Sequence, residues 1–300
     1  FGSANLRDVI VDENNPNFES IDGVLFNSDG TRVLYYPNGR TGAYTLPDTV
    51  TGIGGGVFSG NTNLTGITIG HNVTSIGEGA FNGCTQLGFV SFTGTGTKLE
   101  IGKRAFLSCT SLTELTIPSW TVSIGDEAFA GCTGLTSVTV PEGVTSIGHA
   151  AFFYATQLAS ISLPSTLTSM GVYSTSYVYS DIGILTDKPS DLAEAGVNNI
   201  DVFDSCYALA TITIPESNAV YTVIDGVVYG KEEGVVTTLY FSPRQNAGDD
   251  SNTVNIPGTV KTIRDRAFYG NAEIVTVNFE DRSAATKLEV GGAVFQNCSS

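Results

Sequence analysis

The sequence predicts an all-β-rich solenoid: a stack of units of about 23 residues with short helical turns and inserted β-hairpins. Three observations predict it. A phenylalanine-centred motif recurs along the chain, apolar residues alternate just before the turn of each unit, and Gly, Thr, Ser, Val and Ile dominate while charged residues make up only 15%. Small and β-branched residues suit pleated, half-buried surfaces, and self-similarity at this period is the signature of a solenoid.

The motif is clearest in SIGEGAFNGCTQL, EIGKRAFLSCTSL, SIGDEAFAGCTGL and SIGHAAFFYATQL, whose phenylalanines are Phe81, Phe106, Phe129 and Phe152. Phe58, Phe203, Phe268 and Phe295 occupy the same slot in weaker copies, and Phe1 opens the tail of another. One unit reads LTSVTVPEGVTSIGHAAF from Leu135. Its Val138–Thr139–Val140 stretch alternates as a strand with one buried face. Pro141 lacks an N–H and ends that strand. Gly148 supplies a second bend, and the short segment up to Phe152 has the length of a single helical or 3₁₀ turn. No unit this small buries its own apolar face; stacking turns isolated Leu, Val, Ile and Phe into ladders.

Cys84, Cys109, Cys132, Cys206 and Cys298 each follow the repeat phenylalanine by three residues, where other units carry Asn61, Ala155 or Asn271. That slot calls for a small, nearly buried side chain, so the cysteines read as reduced core thiols. Stacked neighbours come close enough for a disulfide, but the ladder continues through Ala and Asn and needs none. No CxxC pair or Cys-His cluster suggests zinc.

Two irregular units resemble each other. NFESIDGVLF (17–26) parallels VYTVIDGVVY (220–229), each followed by a second strand-like run, VLYYP and TTLYFSP. Asn27–Ser28–Asp29–Gly30 is a hairpin signal, so hairpin units are expected over about 12–47 and 216–257. A longer interruption, about 172–199, carries Tyr173, Tyr177 and Tyr179 and a capped-helix signal after Pro189. Insertions of this kind either cover exposed core or carry function. The whole chain, 1–300, reads as a single solenoid fragment, with both ends falling inside a repeat.

The net charge of -16 opposes binding to nucleic acid or anionic membranes. No run of 18 apolar residues offers a transmembrane helix. Catalytic chemistry finds no footing. His71 and His149 fall in different slots of distant units, GIGGGVF (52–58) fails the dinucleotide fingerprint, and TGTGTK lacks the ending of a phosphate loop. No cofactor or metal is implied; segments 12–15 and 249–252 hold acidic turns without the ligand alternation of a calcium loop.

Binding surfaces are the better candidates. Between the inward-facing strand residues stand Thr68, Ser91, Thr116, Thr139, Ser162 and Thr213, a stacked hydroxyl row. Two positions earlier stand Gly66, Phe89, Glu114, Ser137, Ser160 and Thr211, where Phe89 is the one aromatic. Trp120, the sole tryptophan, is expected exposed in a turn. The ligand-contact candidates are therefore Phe89, Glu114, Trp120, Tyr173, Tyr177 and Tyr179, since exposed aromatics are enriched at binding sites.

The aliphatic ladder, the proline and I-G-x-x-A-F-x-x-C at this period resemble the BspA-like class of bacterial leucine-rich repeats. The resemblance spans most of the chain, IDGVLF-type hairpins included. It implies a right-handed stack with a β-sheet along one face, a place on the surface of host-associated bacteria or some parasitic protists, and adhesion to host proteins or other cells without catalysis. A protein ligand is the first expectation. A carbohydrate module stacking sugars on Trp120 and the tyrosines, or a stalk displaying another domain, are the alternatives. Neither membrane insertion nor an oligomeric state is indicated.

Overall fold

The computed structural model describes residues 5–171, 202–243, 252–281 and 287–298. The chain is a β-solenoid that divides into two compact units. Phe1, the tyrosines of the long interruption and the acidic segment 249–251 lie outside the described residues.

The first unit comprises Phe1–Leu135, Ser146–Ala155 and Ser169–Ser205. Along one side runs a nine-stranded sheet. Its order is β1 (Phe18–Ile21), β2 (Val24–Asn27), β3 (Arg32–Tyr35), β5 (Gly52–Ile53), β7 (Ser75–Ile76), β9 (Leu99–Ile101), β11 (Thr121–Ile124), β13 (Ser146–Ile147) and β15 (Ser169–Met170). A second, four-stranded parallel sheet is formed by β4 (Gly42–Thr45), β6 (Leu64–Gly70), β8 (Phe89–Thr93) and β10 (Glu114–Leu115).

The second unit comprises Thr136–Thr145, Thr156–Thr168 and Cys206–Ser300. It holds a parallel sheet of β12 (Ser137–Thr139), β14 (Ser160–Ser162) and β16 (Thr211–Thr213). A five-stranded sheet of β17 (Tyr221–Ile224), β18 (Val227–Glu232), β19 (Val235–Phe241), β21 (Thr262–Ile263) and β23 (Glu289–Val290) follows. The parallel pair β20 (Thr253–Ile256) and β22 (Thr276–Phe279) completes it.

The repeat phenylalanines form the spine of the first unit. Phe58, Phe81, Phe106, Phe129, Phe152 and Phe203 stack face to face at centroid distances of 4.7, 5.0, 5.3, 5.5 and 5.9 Å. In the second unit Phe268 stacks on Phe295 at 5.2 Å.

The expected helical turns do not form; the described residues contain no helix. Between the Ile-Gly bend and the phenylalanine, alternate N–H groups serve two purposes. Those of Ala80, Asn82 and Cys84 close tight turns onto Gly77, Phe81 and Gly79 carbonyls, with Asn82 reaching Gly79 and Cys84 reaching Phe81. Those of Gly79, Phe81 and Gly83 instead donate to the carbonyls of Lys103, Ala105 and Leu107 in the neighbouring rung. A helix needs all of these donors for itself. The segment also turns left-handed at every fourth residue, as at Arg104 (φ 56°) and Ser108 (φ 58°), which helices of L-residues do not tolerate.

The glycine after each repeat isoleucine does something other than bend the chain. A Cβ on Gly148 would stand 2.4 Å from the Asp126 nitrogen, and one on Gly125 would stand 2.6 Å from that of Lys103. Successive rungs thus touch backbone to backbone at this column, and only glycine leaves room.

The irregular units are antiparallel hairpins. β1–β2 turns through Asp22–Gly23 and β17–β18 through Asp225–Gly226, all four residues with positive φ. Glu233–Gly234 turns β18 into β19 in the same way. These are two-residue turns whose twist matches the strands they join. The Asn27–Gly30 tract connects β2 to β3 as a longer loop, with the Asn27 side chain accepting the Arg32 N–H at 2.8 Å.

Candidate functional site

The four-stranded sheet of the first unit presents one flat face to solvent. Inward-pointing Tyr44, Ile67 and Val90 are buried, which leaves their neighbours along each strand on the outer face. Register then lines up Ala43, Gly66, Phe89 and Glu114 in one row, and Thr45, Thr68 and Ser91 in the next.

Phe89 is held by what lies beneath it. A Cβ on Gly66 would meet two of its ring carbons at 2.2 Å, so the ring fills the space that a side chain at 66 would take. Gly66 is buried in consequence, and the ring stays part-exposed beside exposed Glu114. The Thr68 and Ser91 hydroxyls are 3.1 Å apart and hydrogen-bonded to each other. The face therefore combines an anchored aromatic, a carboxylate and a polar row on a rigid scaffold.

The second unit repeats the polar rows without the aromatic. Ser137, Ser160 and Thr211 are in register, as are Thr139, Ser162 and Thr213, with Ser162 and Thr213 hydroxyls 2.6 Å apart.

The other sequence candidates separate. Trp120 lies in the turn before β11 but is only part-exposed, which corrects the expectation of an exposed indole. A Cβ on Gly96 would stand 2.5 Å from its Nε1, so the ring packs into the space that glycine leaves in the adjoining turn. The Nε1 is shielded from solvent with no hydrogen-bond partner among the described residues. Phe89 and Glu114 are thus brought together as neighbours, and Trp120 is set apart from their row. Tyr173, Tyr177 and Tyr179 fall outside the described residues.

The cysteine column is structural. Cys84, Cys109, Cys132 and Cys206 are buried and Cys298 part-buried, and none of the five is in a disulfide. The Cys84, Cys109 and Cys132 Sγ atoms donate to the carbonyls of Phe58, Phe81 and Phe106 at 3.0, 3.2 and 3.2 Å. Burial pushes the Cys84 and Cys132 thiols up to about 12 and that of Cys109 well above its ordinary value. Thiols held protonated this way are poor nucleophiles and poor metal ligands.

Asn61 and Asn271 fill the same slot with a different bonding pattern. The Asn61 Oδ1 accepts the N–H groups of Asn63 and Leu64 at 3.0 and 2.9 Å, and the Asn271 Oδ1 accepts those of Glu273 and Ile274 at 3.0 Å each.

Other polar groups are likewise committed to the fold. Arg104 Nε meets the fully buried Glu127 carboxylate at 2.8 Å. Asp12 and Asn15 spend their side-chain oxygens on Asx turns, accepting Asn14, Asn17 and Phe18 N–H groups. No group of three His, Cys, Asp or Glu residues suited to a metal occurs among the described residues. Nor is any helix among them long and apolar enough to cross a membrane.

The BspA type leucine rich repeat region matches residues 40–119, 99–223 and 247–300, in six copies. The chain belongs to this family. Among solved structures it is similar to a leucine rich cell surface protein from Faecalibacterium prausnitzii A2-165, at 25% identity and a TM-score of 0.60, covering 96% of this chain and 82% of that one. It also resembles the pneumococcal vaccine antigen PcpA in fold, at 18% identity and a TM-score of 0.66, covering 97% and 68% of the two chains. No curated protein matches it. Leucine-rich repeats of this type are in general non-catalytic scaffolds, in keeping with protonated cysteines and carboxylates engaged in turns and ion pairs.

Proposed function

We propose that this BspA-type chain is a non-catalytic binding module displayed on the surface of a bacterial cell, where it adheres to a protein of a host or of another cell. The Phe89 ring carries the reading. It is the one aromatic in its row. It is kept part-exposed over Gly66 and beside Glu114. Aromatic anchors on rigid scaffolds supply contact area at low entropic cost, and they dominate interface energetics. The name of the Faecalibacterium relative supports the surface location, and the fold shared with a pneumococcal antigen is consistent with it.

The test is a surface-plasmon-resonance panel of matrix and host-cell proteins run against the chain and its Phe89→Ala and Glu114→Gln variants. Saturable binding that falls about thirtyfold or more on loss of Phe89 supports the proposal, since anchor truncation costs about 2 kcal/mol or more. Binding indifferent to both changes places recognition elsewhere on the chain. A glycan array run alongside distinguishes sugar ligands, and silence on both by the folded protein favours a stalk role.

A further inference from the structure

The four-stranded sheet of the first unit is nearly free of charge. Its strands β4, β6, β8 and β10 contain no lysine, arginine, histidine or aspartate, and Glu114 is their one carboxylate. Glu114 is exposed. The side-chain ion pairs among the described residues take Arg40, Lys98, Arg104 and Lys261 to other carboxylates and leave Glu114 without one. Both of its side-chain oxygens are open to a donor from outside.

Phe89 stands beside Glu114 in register but leans the other way. A Cβ on Gly66 would stand 2.2, 2.2 and 2.8 Å from its Cε1, Cζ and Cδ1, so the ring reclines over β6. Glu114 stands on β10, which flanks β8 on the opposite side. With strands about 4.8 Å apart, ring and carboxylate bracket a span of about 10 Å. The residues that continue the two outer rows, Ala43, Thr45, Thr68 and Ser91, are too short to fill it, and the Thr68 and Ser91 hydroxyls bond to each other. An apolar platform thus lies at one end of an open strip and an uncompensated carboxylate at the other.

We infer that this strip receives an arginine side chain presented by a partner polypeptide; the inference rests on the adhesive reading of the same face. The stem lies on the Phe89 ring, as the stems of long cationic side chains do on apolar surface. The guanidinium reaches Glu114, and its planar fork engages both open oxygens at once, which the point charge of a lysine does not. The ring quadrupole adds attraction for the same cation. A neutral apolar segment or a sugar would use the ring but strip water from the carboxylate without replacing it, at a cost in free energy. The net charge of -16 draws cationic partners to the chain and repels acidic ones.

The experiment titrates the whole chain with Nα-acetyl-arginine methylamide, followed by chemical shifts of the Phe89 ring and the Ser91 amide. The lysine analogue reshapes the charge, and the citrulline analogue keeps the shape without it. The arginine probe is expected to bind saturably and most tightly of the three. Glu114→Gln should weaken it about fivefold, as loss of an exposed ion pair does. Phe89→Leu, which keeps the apolar bulk, should weaken it about threefold, as loss of an exposed cation–π contact does. Glu100→Gln should leave it unchanged, because that carboxylate is on the other sheet and pairs with Lys98 at 2.6 Å. Absence of arginine binding would overturn the inference, as would citrulline or lysine binding as tightly, or arginine binding indifferent to either Phe89→Leu or Glu114→Gln. A protein ligand lost with Phe89→Ala but untouched by Glu114→Gln would overturn it while leaving the strand-face reading in place. Arginine binding that needs both residues, with no protein ligand found, would sustain the inference while that reading fails.

Discussion

Phe106 is the most informative single residue for the energetics of the stack. Its side chain is fully buried and sandwiched between Phe81 at 5.0 Å and 1° and Phe129 at 5.3 Å and 2°. Truncation to alanine removes the ring from both neighbours and leaves a cavity that backbone hydrogen bonds between rungs prevent from closing. Core Phe→Ala changes cost about 3–5 kcal/mol, and this rigid setting belongs near the upper half, about 4. Phe106→Leu keeps most of the apolar volume and loses the two ring contacts, each worth about 0.5–1.5 kcal/mol, for a total of about 2. Phe295 supplies the internal control. It is 46% exposed and, among the described residues, stacks on Phe268 alone, so its truncation should cost about 1–2 kcal/mol. Guanidinium unfolding followed by circular dichroism, with a common slope, gives all three values. A Phe106→Ala cost no larger than that of Phe295→Ala would refute the reasoning, and so would equal costs for Phe106→Ala and Phe106→Leu.

Further outcomes follow from the same geometry. Glu127→Ala removes the carboxylate that two Arg104 nitrogens engage, so thermal unfolding should report a loss of about 3 kcal/mol. Asn61→Ala strips the acceptor from the Asn63 and Leu64 N–H groups, at about 2–3 kcal/mol by denaturant titration. Asn61→Cys should cost less than Asn61→Ala, because a thiol in this slot donates to a carbonyl one rung back, as Cys84 Sγ does to Phe58 at 3.0 Å. Alkaline pH should destabilise the fold. Burial raises the Cys84 and Cys132 thiols from 9.0 to about 12, so the folded state holds protons that the unfolded chain releases. That contribution is complete below pH 9 and is lost toward pH 12, and Cys132→Ala should flatten the decline in an unfolding series across that window. Gly66→Ala should displace the Phe89 ring without touching its chemistry, and reduce binding on the strand face about as much as Phe89→Ala.

Much of the scaffold was legible because stacking makes one residue's environment recur. The phenylalanine slot predicted a ladder, and Phe58 and Phe203 take their places in it despite weak local motifs. Both outward rows of the strand face follow from simple alternation, and the register of β6, β8 and β10 puts Phe89 beside Glu114 as counting requires. Reading helical turns from the AxxAF-like segments failed for a cooperative reason. Local propensity does not reveal that alternate N–H groups are exported to the next rung. The Asp-Gly pairs at 22–23 and 225–226 were a hairpin signal in plain view, stronger than the Asn27–Gly30 tract. Trp120 was misjudged because its exposure depends on Gly96, about one rung away in space but 24 residues earlier in sequence.

These cases share a cause. In this stack the fold is secured by columns that run between rungs: rings on rings, N–H groups on carbonyls, glycines against backbone. Each column tolerates several residue types that fit it even where their bonding differs: the Cys84 thiol donates to the Phe58 carbonyl one rung back, while the Asn61 Oδ1 accepts the Asn63 and Leu64 N–H groups. Positions on the outer face are under no such constraint, because their side chains meet only solvent and one another. An aromatic such as part-exposed Phe89 can therefore change without disturbing the core columns. Recognition in such a molecule is expected at departures from the repeat, and the repeat itself supplies the rigidity that lets those departures bind without paying to be ordered.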